Sequence, residues 1–208
     1  MKVAVLGGTG KMGGNIAKQL AKSHEIIIGS RDPARAAEAA KAIKGAKGAD
    51  YAGACREADV IVFTLPYSAI SMAAGLADEA AGKLVVSVVN PIKLQGSLLV
   101  DSMEQGSGAE ELARLLPKSR VATAFNNVPV AMFGGDVVVP MDIVVAASSK
   151  EAYEEAAALV RSIPNLRPLY AGDLSQARVV EMMTPLLLNM AKLNGTGSLT
   201  TRFPSKKG

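Results

Sequence analysis

The residues best suited to chemistry in this chain begin with a glycine-rich turn, Gly7-Gly8-Thr9-Gly10-Lys11-Met12-Gly13, which reads G-x-G-x-x-G from Gly8 to Gly13. Such a turn takes a strand tightly into a helix and lets the backbone approach a pyrophosphate without a Cβ in the way. The turn follows the apolar run Val3–Leu6 and opens a helical pattern at Lys11, which is the context that gives the motif meaning. We therefore predict that a dinucleotide binds at this turn.

The residues after the second predicted strand indicate which dinucleotide binds. NAD-binding proteins usually place an Asp or Glu there, which accepts a hydrogen bond from the ribose 2′-hydroxyl. This chain has Ser30 and Arg31 instead, and Arg35 follows one helical turn later. Guanidinium groups attract a 2′-phosphate and bind it through paired hydrogen bonds. Asp32 precedes Pro33 and is better explained as a helix cap, so the pattern predicts NADP rather than NAD.

Several catalytic and metal-binding patterns are missing from the sequence. With one histidine, His24, one cysteine, Cys55, and no clustered carboxylates, it offers no set of metal ligands. None of the four tyrosines begins the Tyr-x-x-x-Lys pattern of short-chain dehydrogenases. Lys192 could imitate the lysine of 3-hydroxyacid dehydrogenases, but too little chain follows the predicted sheet for their helical second domain. We predict no catalytic side chain and no metal, with the cofactor itself doing the chemistry.

Composition and charge argue against several other classes of protein. The 208 residues are 49% apolar with a net charge of +4, and the basic residues form no stripe interleaved with aromatics, as nucleic acid binding would require. No apolar run is long enough to cross a membrane, and no secretory signal begins the sequence. One cysteine cannot form an internal disulfide and suits a reducing compartment. We expect a cytoplasmic protein that binds small molecules, with neither nucleic acid nor a membrane as partner.

The elements that must position these residues alternate between strands and helices. Strands are predicted by apolar runs at residues 3–6, 25–29, 49–52, 59–65, 83–88, 120–124, 142–147 and 166–170. Continuously apolar strands separated by helices predict an α/β fold, a doubly wound, mostly parallel Rossmann-type sheet with helices on both faces. Residues 94–108 are rich in Gly and Ser and predict a loop, and Ser148-x-x-Glu151 predicts a capping box at the start of a helix.

The end of the chain departs from this alternation, so we divide it into an NADP-binding Rossmann domain at 1–172 and a C-terminal helical segment at 173–208. The segment has an apolar stripe at helical spacing, formed by Leu174, Ala177, Val180, Met183, Leu187 and Met190. Further apolar residues widen this stripe until it covers almost the whole circumference of the helix. A helix that apolar must be buried. Its own domain or a second copy of the chain could cover it, and we expect a homodimer formed through this helix.

Several segments together resemble one known family. They are the glycine turn, Gly29-Ser30-Arg31, Leu166-Arg167-Pro168-Leu169 before Ala171-Gly172, and a more specific block, Arg178-Val179-Val180-Glu181-x-x-Thr184-Pro185-Leu186-x-Leu188-Asn189 with Asn194-Gly195-x-Gly197. Over its whole length the chain is similar to the NADP-dependent coenzyme F420 oxidoreductases. In that family a hydride passes directly between C4 of the nicotinamide and C5 of a deazaflavin, which stack face to face in a cleft. The resemblance implies NADP and coenzyme F420 as the two cofactors.

The resemblance also implies a place for each part of the two cofactors. The 2′-phosphate would bind to Thr9, Ser30, Arg31 and Arg35, the pyrophosphate and ribose near Gly10, Lys11 and Met12, and the adenine side near Pro66 and Ile70. The nicotinamide would lie by Val89, Asn90 and Pro91. The deazaflavin would lie against Asn126, Asn127, Val128, Pro129 and Ala131, with Thr196 and Gly197 closing the pocket.

The residues themselves agree in kind with this placement. Asn90-Pro91 and Asn126–Pro129 both follow predicted strands, and open α/β sheets bind ligands at the carboxyl ends of their strands. Amide groups could bond a carboxamide or a pyrimidinedione edge, although Asn126-Asn127 is also explained by turn chemistry before a proline. Two other functions stay open: an NADPH-dependent reductase of a small flavin, carbonyl or imine, and a noncatalytic NADP-sensing protein whose last helix docks a partner.

Overall fold

The computed structural model describes residues 1–135 and 138–205. The elements of the first half are β1 Lys2–Leu6, α1 Lys11–Leu20, β2 Glu25–Ser30, α2 Pro33–Ala40, β3 Lys47–Asp50, α3 Tyr51–Glu57, β4 Val60–Phe63, a 3₁₀ helix Tyr67–Leu76 and β5 Leu84–Ser87. Those of the second half are β6 Ile92–Gln95, β7 Leu98–Asp101, α4 Gly108–Leu115, β8 Arg120–Thr123, α5 Val130–Phe133, β9 Met141–Ala146, α6 Lys150–Arg161, β10 Leu166–Gly172, a 3₁₀ helix Leu174–Gln176 and α7 Ala177–Leu193.

Six of these strands form one sheet in the order β3-β2-β1-β4-β5-β8, and every neighbouring pair is parallel. Alternate side chains of a strand bury on opposite faces, so Val3 and Val5 join one apolar core and Ala4 and Leu6 the other. This confirms the predicted doubly wound Rossmann-type fold. The chain reverses its direction of winding between β1 and β4, where a crevice opens at the carboxyl ends of the strands.

A second, two-stranded parallel sheet joins β9 to β10. An antiparallel bridge between Ala122 and Ala147 connects it to the edge of the main sheet at β8. The side chain that caps α6 differs from the predicted one: Ser149, not Ser148, accepts the N–H of Ala152. Ser148 instead accepts the N–H of Val121 at 3.0 Å, because it lies one residue nearer the sheet and completes the edge of β8.

The prediction of a loop at 94–108 is wrong for its first part. There, β6 and β7 pair as an antiparallel hairpin, whose turn contains Gly96 with φ of +59°. A long-range contact stabilises the hairpin, because Asn189 of α7 accepts the N–H of Leu99 at 2.9 Å and donates to its carbonyl at 2.7 Å. A local sequence pattern cannot show such a contact.

The last helix, α7, has apolar residues on two opposite faces. One face is buried against the chain through Ala177, Val180, Glu181 and Pro185. The other carries an exposed apolar stripe at Val179, Leu186, Met190 and Leu193, which are 66%, 57%, 43% and 69% exposed. Within a single chain, the prediction that this helix is buried therefore holds for one of its faces. The other face is exposed to solvent.

Candidate functional site

The glycine turn lies between the end of β1 and the start of α1, at the carboxyl edge of the sheet. Gly7 has φ of +88°, which side chains rarely adopt, and a Cβ on Gly13 would lie 2.5 Å from the carbonyl oxygen of Gly7 and from Oγ1 of Thr64. The turn can therefore pack this tightly only with glycine at these positions. Gly10, the N-cap residue just before α1, has an extended conformation, and no side chain caps the helix. The first N–H groups of α1 are thus left to bind an anion.

Beside this turn lies a cavity of about 580 Å³, here called the arginine cavity. Its lining includes four residues with phosphate-binding chemistry: Thr9, Ser30, Arg31 and Arg35. Asp32 also borders it, but its Oδ1 accepts the N–H groups of Ala34 at 2.9 Å and Arg35 at 3.3 Å. This confirms Asp32 as the cap of α2, so its charge is directed at a helix N-terminus while the guanidinium groups stay available to an anion.

A second cavity, of about 620 Å³ and here called the amide cavity, adjoins the first, because Thr64, Leu65 and Pro66 line both. Its polar lining comprises Thr64, Tyr67, Ser68, Asn90, Asn126, Asn127, Thr184 and Ser198, and its apolar lining includes Met12, Phe125, Val128, Leu187, Leu188 and Leu199. None of these described lining residues carries a formal charge. The two cavities form one cleft that is cationic at one end and uncharged at the other.

The asparagines of the amide cavity are held in a fixed arrangement. The Nδ2 of Asn126 donates to the Val89 carbonyl at 2.9 Å and lies 3.1 Å from the side-chain amide of Asn90. Phe125, two residues after the end of β8, has φ of +65°, an unfavourable conformation for an aromatic residue that places the two following asparagines at the cavity. The Oδ1 atoms of Asn126 and Asn127 are buried and have no partner among the described residues. Buried acceptors without a partner are costly, and a ligand N–H would relieve that cost.

Four polar residues of α7 fix the helix beside this cavity. Arg178 donates to Asp101 at 2.8 Å, Asn189 holds the hairpin at Leu99, and Thr184 donates to the carbonyl of Asn126. Glu181 is fully buried, and its two oxygens accept the N–H groups of Gly108 and Ala109 at the start of α4, each at 2.9 Å. These contacts explain why the block from Arg178 to Asn189 is so specific: each of its polar side chains has its own partner.

Comparison with known proteins identifies the family. The family described as "NADP oxidoreductase coenzyme F420-dependent" matches residues 2–91. An F420-dependent NADP reductase of Methanocaldococcus jannaschii is 36% identical, with 98% of this chain and 99% of that protein covered. Another, of Methanothermobacter thermautotrophicus, is 35% identical over 100% and 97% of the two chains. This chain belongs to the F420-dependent NADP reductase family.

A solved structure supports the same fold. It is that of a candidate F420-dependent NADP reductase from Arthrobacter sp. FB24, which covers 99% of this chain and 100% of its own, with a TM-score of 0.85 and 24% identity. The relatives that are 35–36% identical over nearly the whole chain confirm the resemblance at the level of the family.

The structure places most of the predicted site residues of this family member in the cleft. Twelve of them line it: Thr9, Gly10, Met12, Ser30, Arg31, Arg35, Pro66, Asn90, Asn126, Asn127, Val128 and Pro129. Gly8 and Gly13 are buried within the turn and line neither cavity, and Lys11 is exposed at the start of α1. Pro91, Val89 and Ile70 are buried instead, with Val89 1% and Ile70 4% exposed in the core.

At the uncharged end of the cleft, some of the residues that line the cavity lie a few positions away from those that were predicted. Ala131, Thr196 and Gly197 are exposed and do not line either cavity, whereas Ser198 and Leu199 do. Sequence reasoning missed Thr64, Tyr67, Phe125, Thr184 and Leu187. Thr64 could have been found, because it comes directly after β4, at the edge where these sheets bind ligands. Thr184 could not, because its place depends on how α7 packs.

The titratable groups near the cleft of this reductase are held by protein partners. Tyr67 donates its hydroxyl hydrogen to Glu111 at 2.9 Å, and burial together with that bond raises the pKa of Tyr67 above its ordinary value. Burial raises the pKa of Glu181 to about 7, although the two backbone N–H groups that it accepts act in the opposite direction. His24 lies before β2, at the opposite edge of the sheet, and bonds Ser162 at 2.9 Å.

Among residues 1–135 and 138–205, no group of three or more His, Cys, Asp or Glu side chains is arranged to hold a metal ion. Within the same ranges, no helix combines the length and the apolar character needed to cross a membrane.

Proposed function

We propose that this protein transfers a hydride between NADP(H) and coenzyme F420, as the names of its relatives indicate for them. The observation that carries the proposal is the cleft itself, in which a cationic cavity at a Rossmann turn adjoins an uncharged cavity lined by amides and apolar side chains. The first suits the phosphates of a dinucleotide and the second a flat, neutral ring system.

For the NADP end of the cleft, we assign roles from the geometry. Arg31, Arg35, Ser30 and Thr9 would bind the 2′-phosphate, because they line one cavity from two neighbouring places, the turn between β1 and α1 and the junction between β2 and α2. The free N–H groups at the start of α1 would bind the pyrophosphate. Glycine at position 13 lets the start of α1 pack close enough to β1 to present these groups, since a Cβ there would lie 2.5 Å from the carbonyl oxygen of Gly7.

At the uncharged end of the cleft, the described residues would position the two rings and exclude water. When bound, NADP(H) and coenzyme F420 would supply the two ends of the hydride transfer, C4 of the nicotinamide and C5 of the deazaflavin, in either direction. The apolar walls from Leu65, Phe125 and Leu187 would keep water away, and the unpartnered Oδ1 atoms of Asn126 and Asn127 would accept ring or carboxamide N–H groups. Holding two reactants in such a geometry accounts by itself for a large part of a rate enhancement.

The absence of charge among the described lining residues of the amide cavity also weighs against the reduction of a carbonyl or an imine. A carbonyl or imine reductase needs a proton donor near the hydride acceptor. Tyr67 is the titratable side chain among the described lining residues, and its hydroxyl hydrogen is held by Glu111. Hydride transfer to a ring that delocalises the resulting negative charge and then takes its proton from solvent is therefore the reaction that this lining favours.

We further propose that residues 173–208 act as a helical segment distinct from the Rossmann domain at 1–172, and that two copies of the chain pair through α7. The stripe of Val179, Leu186, Met190 and Leu193 supports this, because exposed apolar stripes of that extent on a helix usually mark an interface. The opposite face of α7 already contacts its own chain, so the stripe is free to contact a partner.

A direct test mixes the protein with NADPH and oxidised coenzyme F420 and follows the visible absorbance of the coenzyme. Loss of that absorbance at a rate proportional to protein concentration supports the proposal. Consumption of NADPH with flavins or small carbonyls, and not with coenzyme F420, would contradict it. Tight binding of NADPH without consumption of any acceptor would instead support a sensing protein.

A further inference from the structure

Near its end the chain forms a strap, residues 198–203, which passes the amide cavity and then joins β9. Ser198 and Leu199 line the cavity directly. Two residues further on, Thr201 accepts the N–H of Asp142 at 3.0 Å and donates its hydroxyl hydrogen to the Asp142 carbonyl at 3.2 Å. The strap is thus bound to the start of β9 immediately after it leaves the cavity.

An ion pair behind the strap fixes its end. Arg167 on β10 lies opposite Asp142 on β9 and donates to both carboxylate oxygens, through Nε and Nη2, at 2.7 Å each. The same Nη2 donates to the carbonyl of Phe203 at 2.7 Å, and the N–H of Phe203 donates to the Asp142 carboxylate. One bidentate pair therefore holds both polar groups of the Phe203 backbone.

A cavity residue shares this network. The Nδ2 of Asn127 donates to the Asp142 carbonyl at 2.7 Å and to the Thr201 hydroxyl at 2.5 Å. The Asp142 side chain is 2% exposed, and its bonds from Arg167, more than that from Phe203, hold its pKa below the usual range. A buried, fully bonded carboxylate fixes the groups around it more firmly than an exposed pair does.

We propose that Asp142 and Arg167 are positioning residues for the hydride acceptor, which act through the strap and Asn127 on the wall of the amide cavity. The inference rests on the proposed function, because it takes coenzyme F420 as that acceptor. Neither residue lines the cleft, and the arginine cavity lies at its other end. Loss of the pair therefore loosens the acceptor wall and leaves the binding of NADP unchanged.

Two substitutions of the half-exposed Arg167 test this without removing the buried carboxylate. Arg167→Lys keeps the charge but cannot bond both Asp142 oxygens and Phe203 at once, and Arg167→Leu removes all three bonds. We expect the KM for coenzyme F420 to rise about three- to thirtyfold, more for Leu than for Lys. The KM for NADPH should change less than about twofold. A parallel rise of both constants would overturn the proposal, and so would no rise in either.

A second measurement is independent of turnover. Trypsin cleaves after Arg202, inside the strap, and its rate there reports how often the strap detaches. Both Arg167 variants should be cleaved faster at Arg202, with cleavage at Lys44 in an exposed turn as the internal reference. If the KM for coenzyme F420 rose while cleavage at Arg202 stayed unchanged, the pair would not act through the strap. That result would overturn the proposed route.

Glu155→Gln is the matched control. It breaks another carboxylate–arginine pair, Arg120 with Glu155 at 3.0 Å, which contacts neither the strap nor the cleft. It should alter neither KM nor cleavage at Arg202. The two proposals fail differently: if coenzyme F420 is not the acceptor, the unsubstituted protein does not reduce it, whereas the trypsin result still reports on the strap.

Discussion

The carboxylate of Glu181 accepts the backbone N–H of Gly108 at 2.9 Å and so joins the last helix to the start of α4, in a fully buried contact. Glu181 thereby fixes the helix turn from which Thr184 reaches the carbonyl of Asn126. The position of one wall of the cleft thus depends on a charged group that water does not reach. Ionisation of that group should be visible in the stability of the protein.

We predict that the contribution of Glu181 to the free energy of unfolding falls as the pH rises from about 5 to about 8. Burial raises the pKa of Glu181 from its ordinary 4.5 to about 7, so the folded chain binds more protons than the unfolded chain between those values. Stability is therefore greatest below the unfolded pKa and is lost as the pH rises through the folded pKa, by on the order of 2–3 kcal/mol.

Urea unfolding of the protein and of Glu181→Gln at a series of pH values checks this. The glutamine variant should lose the fall in stability over this range, because it cannot ionise. Glu154→Gln, on the exposed side of α6, should keep it. If Glu181→Gln kept the same dependence of stability on pH as the unsubstituted protein, Glu181 would not be the responsible group.

The second prediction concerns the choice between NADP and NAD. Arg31→Ala should raise the KM for NADPH about ten- to a hundredfold, because it removes a charge-assisted bond to the 2′-phosphate worth about 1.5–3 kcal/mol. The KM for NADH should change little, since NADH has no such phosphate. Arg56→Ala, which removes an exposed arginine of α3 paired with Glu79, is the control and should alter neither constant. An equal loss with both dinucleotides would show that Arg31 does not contact the 2′-phosphate.

Local sequence was sufficient to predict this end of the cleft. The glycine turn and the Ser30, Arg31 and Arg35 group lie within one strand–helix–strand unit, so their spacing along the chain fixes their spacing in space. The parallel sheet was predictable for a similar reason, because strands such as Val60–Phe63 are apolar on both faces and must be covered on both.

The other end of the cleft could not be predicted in the same detail. It is built from contacts between residues far apart in sequence, such as Thr184 with Asn126 and Asn189 with Leu99. Where α7 lies decides whether the chain after it presents residues 196–197 or 198–199 to the cavity. The family resemblance indicated the right segment, and packing shifted the contact by two residues.

The third prediction concerns the asparagines of the amide cavity. Asn126→Ala should lower kcat about tenfold, because the side chain positions the Val89 carbonyl and Asn90 but transfers no proton. Steady-state kinetics with coenzyme F420 measures this. A loss of about 10⁴-fold or more would indicate general acid–base catalysis at this position, and the positional account of the reaction would then be wrong.

The fourth prediction concerns assembly. Leu186→Glu places a charge in the middle of the exposed stripe on α7 and should convert a dimer into monomers, since an unpaired charge at an apolar interface costs several kcal/mol. Sedimentation or light scattering reports the mass. Val139→Glu, at another exposed apolar position, should leave the mass unchanged. A monomer in the unsubstituted protein, or a dimer that survives Leu186→Glu, would exclude this helix as the interface.

The most direct test of the central claim follows the hydrogen itself. NADPH that carries deuterium at the transferred C4 position is mixed with the protein and oxidised coenzyme F420 in ordinary water, and the reduced coenzyme is examined by mass spectrometry and NMR. If the rings exchange a hydride directly, as the uncharged cavity implies, the deuterium is found at C5 of the deazaflavin. Solvent hydrogen at C5, with the deuterium lost to water, would contradict direct transfer.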